Sequence, residues 1–253
     1  MIPAILHQTW ETLDPPARFK AFRDGIRRVN PGLDMRLYDE AGRRALIERH
    51  WPEALRTYDR LPFGVAKADL FRLIAVHGEG GFYADLDMEC IRPIEPFRHT
   101  TQAVFSIETE VTPQRQLELG YARPFQIANC MFGAPAGHPF IAELVSATLR
   151  RLAAAPLRRA DAIEDMTGPR ALTRHFYWRR PGNVAVLAQV HWLPPDLYAA
   201  IPALARHIHF RHHCAGSWKD GNGRPLPLIR RWIERNLLPN PYPRGLWHDF
   251  GWR

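Results

Sequence analysis

Two aspartates one residue apart, Asp85 and Asp87, stand near the end of the stretch GEGGFYADLDMEC at residues 78–90. Carboxylates so close repel each other, and burial raises the cost of ionising both. A divalent cation removes that penalty. Hard oxygen donors suit magnesium or manganese, ions that keep coordination positions open for substrate phosphates. The tripeptide alone is weak evidence, because roughly one such match arises by chance at this composition. Its bland reading is a turn-capping Asp85 beside a solvated Asp87. Upstream, Asp69 and Arg72 lie three apart on a predicted helix and so share one face. They either join the acidic cluster or form a surface ion pair worth under about 1 kcal/mol.

The elements that must position these groups alternate in type. Residues 4–8 read as a strand, 17–29 as a basic amphipathic helix, 30–32 as a turn and 35–39 as a second strand. Asp39 caps a helix through Arg49, and another helical stretch begins near Pro52. From Val65 to His77 the positions Leu70, Leu73, Ile74 and His77 recur at helical spacing, and Gly78, Gly80 and Gly81 end that helix before the strand FYADLD. Further strands are expected at 103–108, 131–134, 184–187 and 207–210. Helices are expected at 138–154, at 168–178 with Thr167 as cap, and at 227–238. Alternation of this kind predicts an α/β sandwich with a largely parallel or mixed sheet, whose ligands gather beyond the carboxyl ends of the strands.

A chain of 253 residues that is 46% hydrophobic can bury one large core. We read one domain at 1–225 and a basic, Trp-rich appendage at 226–253. No apolar run approaches the roughly 20 residues of a membrane span. The opening MIPAILHQTW lacks the features of a secretory signal. Three scattered cysteines, Cys90, Cys130 and Cys214, read as reduced thiols, which points to the cytoplasm. The net charge of +8 suits phosphorylated small molecules or anionic lipid headgroups. No nucleic-acid-binding signature accompanies it, so no nucleic acid partner is expected. In the appendage, Arg230, Arg231, Arg235 and Arg244 mix with Trp232, Trp247 and Trp252. That mixture suits peripheral association with the inner face of the plasma membrane, or equally a packed helix with a solvated basic face.

Three blocks in order, IPAILHQTW (2–10), AKADLFRLIAVHGEGGFYADLDMEC (66–90) and HHCAGSW (212–218), resemble glycosyltransferase family 32. The resemblance implies a GT-A type fold, a Rossmann-like α/β sandwich with a mixed central sheet and helices on both faces. It also implies a nucleotide-sugar donor and a divalent metal. Asp87 is then the direct metal ligand, and Asp85 holds the ribose or donor sugar and completes the metal's surroundings. Asp69 and Arg72 match the pair that grips donor-sugar hydroxyls in related glucosylating toxins, and Arg72 could also reach the diphosphate. His213, Gly216 and Lys219 reproduce the spacing of a metal-binding histidine and two diphosphate contacts in family 8 galactosyltransferases. His212 is the alternative ligand, and in the toxin-like pattern Ser217 and Trp218 take these duties. The segment His7, Gln8, Thr9 and Trp10 leaves the first strand where a nucleotide base binds: Gln8 and Thr9 could hydrogen-bond a base edge, and Trp10 could stack on it or join the core. Asn129 matches a block near the acceptor, with Cys130 where the family has alanine, and Thr167-Gly168-Pro169 matches the family's TGP.

The function so implied is metal-dependent, retaining transfer of a sugar from a UDP- or GDP-sugar to a glycan or lipid-linked acceptor hydroxyl in surface polysaccharide synthesis. Manganese is the first expectation for the ion and magnesium the second. Glu108 and Glu110 are the candidates for a covalent nucleophile, although the resemblance favours front-face displacement. Two other readings compete: a haloacid-dehalogenase-like phosphatase using Asp85 and Asp87, and a non-enzymatic basic module that binds nucleic acid or lipid.

Overall fold

The protein is described as a computed structural model over residues 1–214. The expected segments 216–219 and 226–253 lie outside the described residues.

The chain opens with β1 (Ile5–Thr9), α1 (Ala17–Val29), β2 (Asp34–Tyr38), α2 (Glu40–His50), α3 (Leu55–Asp59), α4 (Gly64–Glu79) and β3 (Gly81–Ala84). It continues through β4 (Met88–Cys90), β5 (Ala103–Glu110), α5 (Pro113–Leu119), β6 (Phe125–Ile127), β7 (Met131–Ala134) and α6 (Pro139–Ala154). The described part closes with α7 (Ile163–Met166), α8 (Pro169–Arg179), β8 (Val184–Leu187), α9 (Pro202–Ala205) and β9 (Phe210–His212).

The main sheet runs β2-β1-β3-β7-β5-β6, with β8 paired to β5. Strands β1, β2 and β3 are mutually parallel, as are β5 and β8, while β7 is antiparallel to both β3 and β5. The carboxyl ends of β1, β3, β5 and β8 therefore meet at one edge, together with the start of β7. Alternation along β3 sends Tyr83 into the core beneath α2, α4, α6 and α8, and Phe82 into the core shared with Ile26 of α1 and Trp192. Helices thus cover both faces. A second, two-stranded sheet pairs β4 with β9 beyond the main sheet's edge, with Met88 opposite His212.

Several expectations change at the residue level. The strand expected through Asp87 ends at Ala84, so both aspartates occupy the turn between β3 and β4. Of the strand expected at 207–210 only Phe210 is extended, and the real strand reaches His212. Thr167 does not cap α8: Gly168 is the N-cap residue, and the threonine hydroxyl is used elsewhere. Strands β4 and β6 and helix α5 had no strong periodic signal because each spans at most seven residues. Asp39 does cap α2, accepting a hydrogen bond from the Gly42 amide at 2.9 Å.

Gly81 explains how α4 hands over to β3. Its φ is +92°, and a Cβ there would lie 2.6 Å from the Ile5 carbonyl oxygen, because β3 lies directly against β1. We expect Gly81→Ala to cost about 2–4 kcal/mol, combining the strained backbone with overpacking. Gly120→Ala, at φ +68° with nothing within 4 Å of a Cβ, bears the backbone penalty alone. Urea denaturation of the two variants measures the difference; equal losses would mean that strand proximity plays no part.

Candidate active site

The site grows from α4, which is buried along most of its length and carries two charged residues inward. Asp69 and Arg72 are only 3% and 4% exposed, a placement that charged side chains hold only when paired. The Arg72 guanidinium lies 3.2 Å from Asp69 Oδ1 and 3.4 Å from Asp85 Oδ1. It donates to the Asn129 carbonyl at 2.7 Å and the Ala68 carbonyl at 3.3 Å, and it stacks on the Tyr83 ring at 4.5 Å. With its fork so engaged, Arg72 faces inward and orders the carboxylates. The expected reach to a diphosphate is not what this geometry provides.

Asp69 is bound on both oxygens. Asn129 Nδ2 donates to Oδ1 at 2.9 Å, and the Thr167 hydroxyl donates to Oδ2 at 2.8 Å. Burial pushes its carboxyl up to about 6, against the opposing pull of Arg72 and Thr167. Asn129 and Thr167, which sequence alone could tie only to family blocks, are therefore brought onto Asp69 from two other segments.

Asp85 and Asp87 lie in the turn after β3. The Asp85 amide donates to the Cys130 carbonyl at 2.8 Å, and the Tyr83 hydroxyl donates to Asp85 Oδ1 at 2.8 Å. Tyr83 was not foreseen as a site residue, since alternation in a buried strand marks it only as core. Burial raises the Asp85 carboxyl; Arg72 opposes this and the nearby Asp87 adds to it.

The β4–β9 pair brings a third donor. Ligand atoms of Asp85, Asp87 and His212 lie within 4.8 Å of one another, and His212 Nε2 is 3.2 Å from Asp87 Oδ1. His213, the first expectation for this position, is turned away. Successive strand residues point to opposite faces, so His213 donates to Glu89 at 3.0 Å and stacks on Phe22 at 4.7 Å. Its backbone amide still holds the Asp87 carbonyl at 3.0 Å. Burial opposes a charged His212, but the adjacent Cys130 and the Asp87 carboxylate hold the ring well above the usual imidazole range. The cluster thus gathers a positive charge onto itself. Two carboxylates and one imidazole are a donor set that fits manganese or magnesium.

The segment after β1 divides. His7 is wholly buried; it donates to the Gly80 carbonyl at 2.9 Å and accepts from the Tyr38 hydroxyl at 3.1 Å, which removes it from the expected donor-binding set. Thr9 is likewise committed to the sheet: its hydroxyl donates to the Tyr38 carbonyl at 2.8 Å and accepts from Arg43 at 2.5 Å. Gln8 accepts from Arg23 at 2.5 Å, while its buried Nε2 has no partner. Trp10 is half-buried at the ligand edge, its ring packed edge-on against Phe19. Glu108 and Glu110 end β5 at the same edge. The Glu108 carboxylate accepts from Gln126 at 2.8 Å, and Glu110 keeps one buried oxygen without a hydrogen bond.

Comparison with known proteins agrees with this arrangement. Residues 13–104 match the family described as a glycosyltransferase sugar-binding region containing the DXD motif. That match takes in Asp69, Arg72, Asp85 and Asp87. Inositol phosphoceramide mannosyltransferase 3 of Schizosaccharomyces pombe is 26% identical over 239 residues, covering 94% of this chain and 62% of that protein. Mannosyl phosphorylinositol ceramide synthase SUR1 of Saccharomyces cerevisiae is 25% identical over 190 residues, covering 74% of this chain and 46% of that protein. The chain therefore spans under two thirds of the length of either relative. Among solved structures, the galactosyltransferase LgtC in complex with donor and acceptor sugar analogs superposes with a TM-score of 0.51 at 11% identity, covering 91% of this chain and 94% of that one. The ligand-free glycosyltransferase domain of the YGT toxin gives 0.51 at 10% identity, covering 73% and 80%. The fold of the chain is the GT-A type.

Replacing Arg72 tests whether it orders the two carboxylates beside it, Asp69 and Asp85. Arg72→Met leaves Asp69 and Asp85 without their shared cation, and we expect about 3–5 kcal/mol of destabilisation in urea titration. Arg72→Lys keeps the charge but loses the fork, so it should lie between the two. A loss below about 1 kcal/mol, the value of an exposed pair, would show that the cluster does not depend on Arg72.

Proposed function

We propose that this chain transfers a sugar, most simply mannose, from a nucleoside diphosphate to a hydroxyl of a lipid-linked acceptor. The convergence of Asp85, Asp87 and His212 within 4.8 Å at the sheet's carboxyl edge carries this reading. The relatives, named as an inositol phosphoceramide mannosyltransferase and a mannosyl phosphorylinositol ceramide synthase, favour mannose as the sugar and a phosphoinositol-bearing lipid as the acceptor over a polysaccharide chain. The GT-A fold and DXD family argue against a phosphatase, and equally against a non-enzymatic basic module.

Asp85, Asp87 and His212 are the residues that would hold the ion. When bound, such an ion supplies Lewis-acid neutralisation of the charge developing on the departing diphosphate. The protein's own residues do the rest. Asp69 presents a carboxylate fixed on both oxygens, a rigid acceptor for donor-sugar hydroxyls. Arg72 opposes the effect of burial on Asp69 and Asp85, favouring their ionised forms, and holds them in register. Gln8, with an unpaired buried amide nitrogen, and Trp10, at the end of β1, offer a donor and an apolar face to a base. Glu110, with its unpaired buried oxygen at the same edge, is the carboxylate we assign to the acceptor side.

The test is thermal stabilisation by UDP and by GDP, each with and without manganese, on wild type, Asp87→Ala, His212→Ala and His213→Ala. We expect a metal-dependent shift with one nucleotide, lost in Asp87→Ala, strongly reduced in His212→Ala and retained in His213→Ala. A metal-dependent shift lost in His213→Ala but kept in His212→Ala would reverse the assignment of the histidines. No shift with either nucleotide would overturn the donor class.

A further inference from the structure

The Asp69 carboxylate is fixed by the Thr167 hydroxyl, which poses the question of what fixes Thr167. The residue lies just beyond α7, a helix of four residues that cannot hold its own end in place. Its amide and that of Gly168 both bond the Ile163 carbonyl, at 2.9 and 3.0 Å, closing a tight turn. Gly168 permits the turn, since a Cβ there would lie 2.8 Å from the Glu164 Cα. The turn is closed on itself but still needs an anchor to the body of the domain.

Arg151, on α6, is that anchor. Its Nε donates to the Met166 carbonyl at 3.0 Å, one residue before Thr167, and its Nη2 donates to the Thr148 hydroxyl at 2.9 Å. Thr148 is 1% exposed, so the guanidinium is braced against the buried face of its own helix. Arg151 also lines a small enclosed cavity with Asp69, Arg72, Asn129, Thr148 and Thr167. No carboxylate pairs with it among the described residues: of the acidic residues of that turn, Asp165 is paired with Arg170 and Arg174, and Glu164 with Arg170. Burial, and the like charges of Arg174 and Arg150, bring the guanidinium down to about 10. A cation placed at such a cost, bonded only to a carbonyl and a hydroxyl, is poorly explained as a stabilising ion pair. It is well explained as a planar fork that spans two acceptors in a fixed geometry, with its charge set against the carbonyl end of α7.

We propose that Arg151 is a positioning residue for donor-sugar recognition: it fixes the Thr167 turn, and through the Thr167 hydroxyl it sets the orientation of the Asp69 carboxylate. The chain of contacts runs from α6 to the α7–α8 turn to α4, and Arg151 itself touches no ligand. This rests on the reading of Asp69 as a sugar-binding carboxylate, and the experiment separates the two.

Two measurements on Arg151→Met and Arg151→Lys test it. Hydrogen–deuterium exchange needs no ligand: amides of residues 163–168 should exchange about tenfold faster in Arg151→Met, the factor expected from loss of one hydrogen bond to a charged group. Lysine, which can reach one acceptor but not both, should restore protection in part. Unchanged exchange in Arg151→Met overturns the proposal whatever the protein binds. Calorimetric titration in manganese then compares GDP with GDP-mannose, or UDP with UDP-glucose if uridine proves to be the base. The variant should lose about tenfold in affinity for the nucleotide sugar while its affinity for the free nucleotide holds. Thr167→Val should show the same split, with the double variant Arg151→Met/Thr167→Val little worse than either single one. Equal losses for nucleotide and nucleotide sugar would assign Arg151 a merely structural role and overturn the proposal. Faster exchange with no nucleotide-sugar preference even in the wild type would instead show that the reading of Asp69 is at fault, and the sugar-recognition role falls with it.

Discussion

The arrangement depends on one buried cation. Arg72 stands between Asp69 and Asp85, 4% exposed, and without it two carboxylates on different elements would share a poorly solvated space. An isolated charge in such a place is expensive, and breaking a buried pair leaves that expense uncompensated. The guanidinium fork settles both charges together, since it reaches an α4 neighbour and the turn after β3 while also bonding the Asn129 carbonyl. The Tyr83 ring beneath it supplies an apolar floor that still favours a cation. Helix, strand and loop are thus cross-tied at the point where the ligand edge begins.

From that tie the rest follows by topology. Parallel pairing of β1 with β3 brings the Gln8–Trp10 segment, proposed to meet the base, and the acidic turn to the same edge, and the antiparallel β7 begins there, so Asn129 arrives from the opposite direction. What the main sheet cannot deliver is a ligand from the far end of the described chain. The β4–β9 pairing delivers it, because Met88 opposite His212 forces the imidazole beside Asp87. This explains why β4, only three residues long, follows the acidic turn directly: it is the template on which the histidine is registered.

Much of this was legible in the sequence, and the failures are instructive. Helices α1, α2, α4 and α6 announced themselves by period or cap, and Asp69 with Arg72 could be placed on one helical face from spacing alone. Spacing counted from the glycine and lysine downstream picked His213; the alternation of a strand picked His212. A sequence does not show where a three-residue strand starts, and that start decides which of two adjacent histidines faces inward. His7 and Thr9 were misjudged for a related reason. Polar residues leaving a strand resemble ligand contacts, yet here a tyrosine, an arginine and a backbone carbonyl on neighbouring segments consume them. Thr167 read as a helix cap because its local surroundings permit that role, whereas its true partner is 98 residues away.

The charges left after these pairings point to what the site accepts. Asp69 has Arg72 as its counter-charge, with an amide and a hydroxyl orienting its oxygens. Asp85 shares the same guanidinium, so one positive charge already serves two carboxylates. Asp87 faces His212, which balances its charge when that ring is protonated. A proton held on the imidazole and a cation held by all three groups are alternative ways of balancing the same excess negative charge. A cation held there would also supply Lewis-acid charge to a diphosphate, whereas a proton stays on the ring. A site that only had to be stable could have replaced one aspartate by asparagine and removed the excess. Keeping both carboxylates beside a histidine makes sense for a protein whose ligand brings charge of its own.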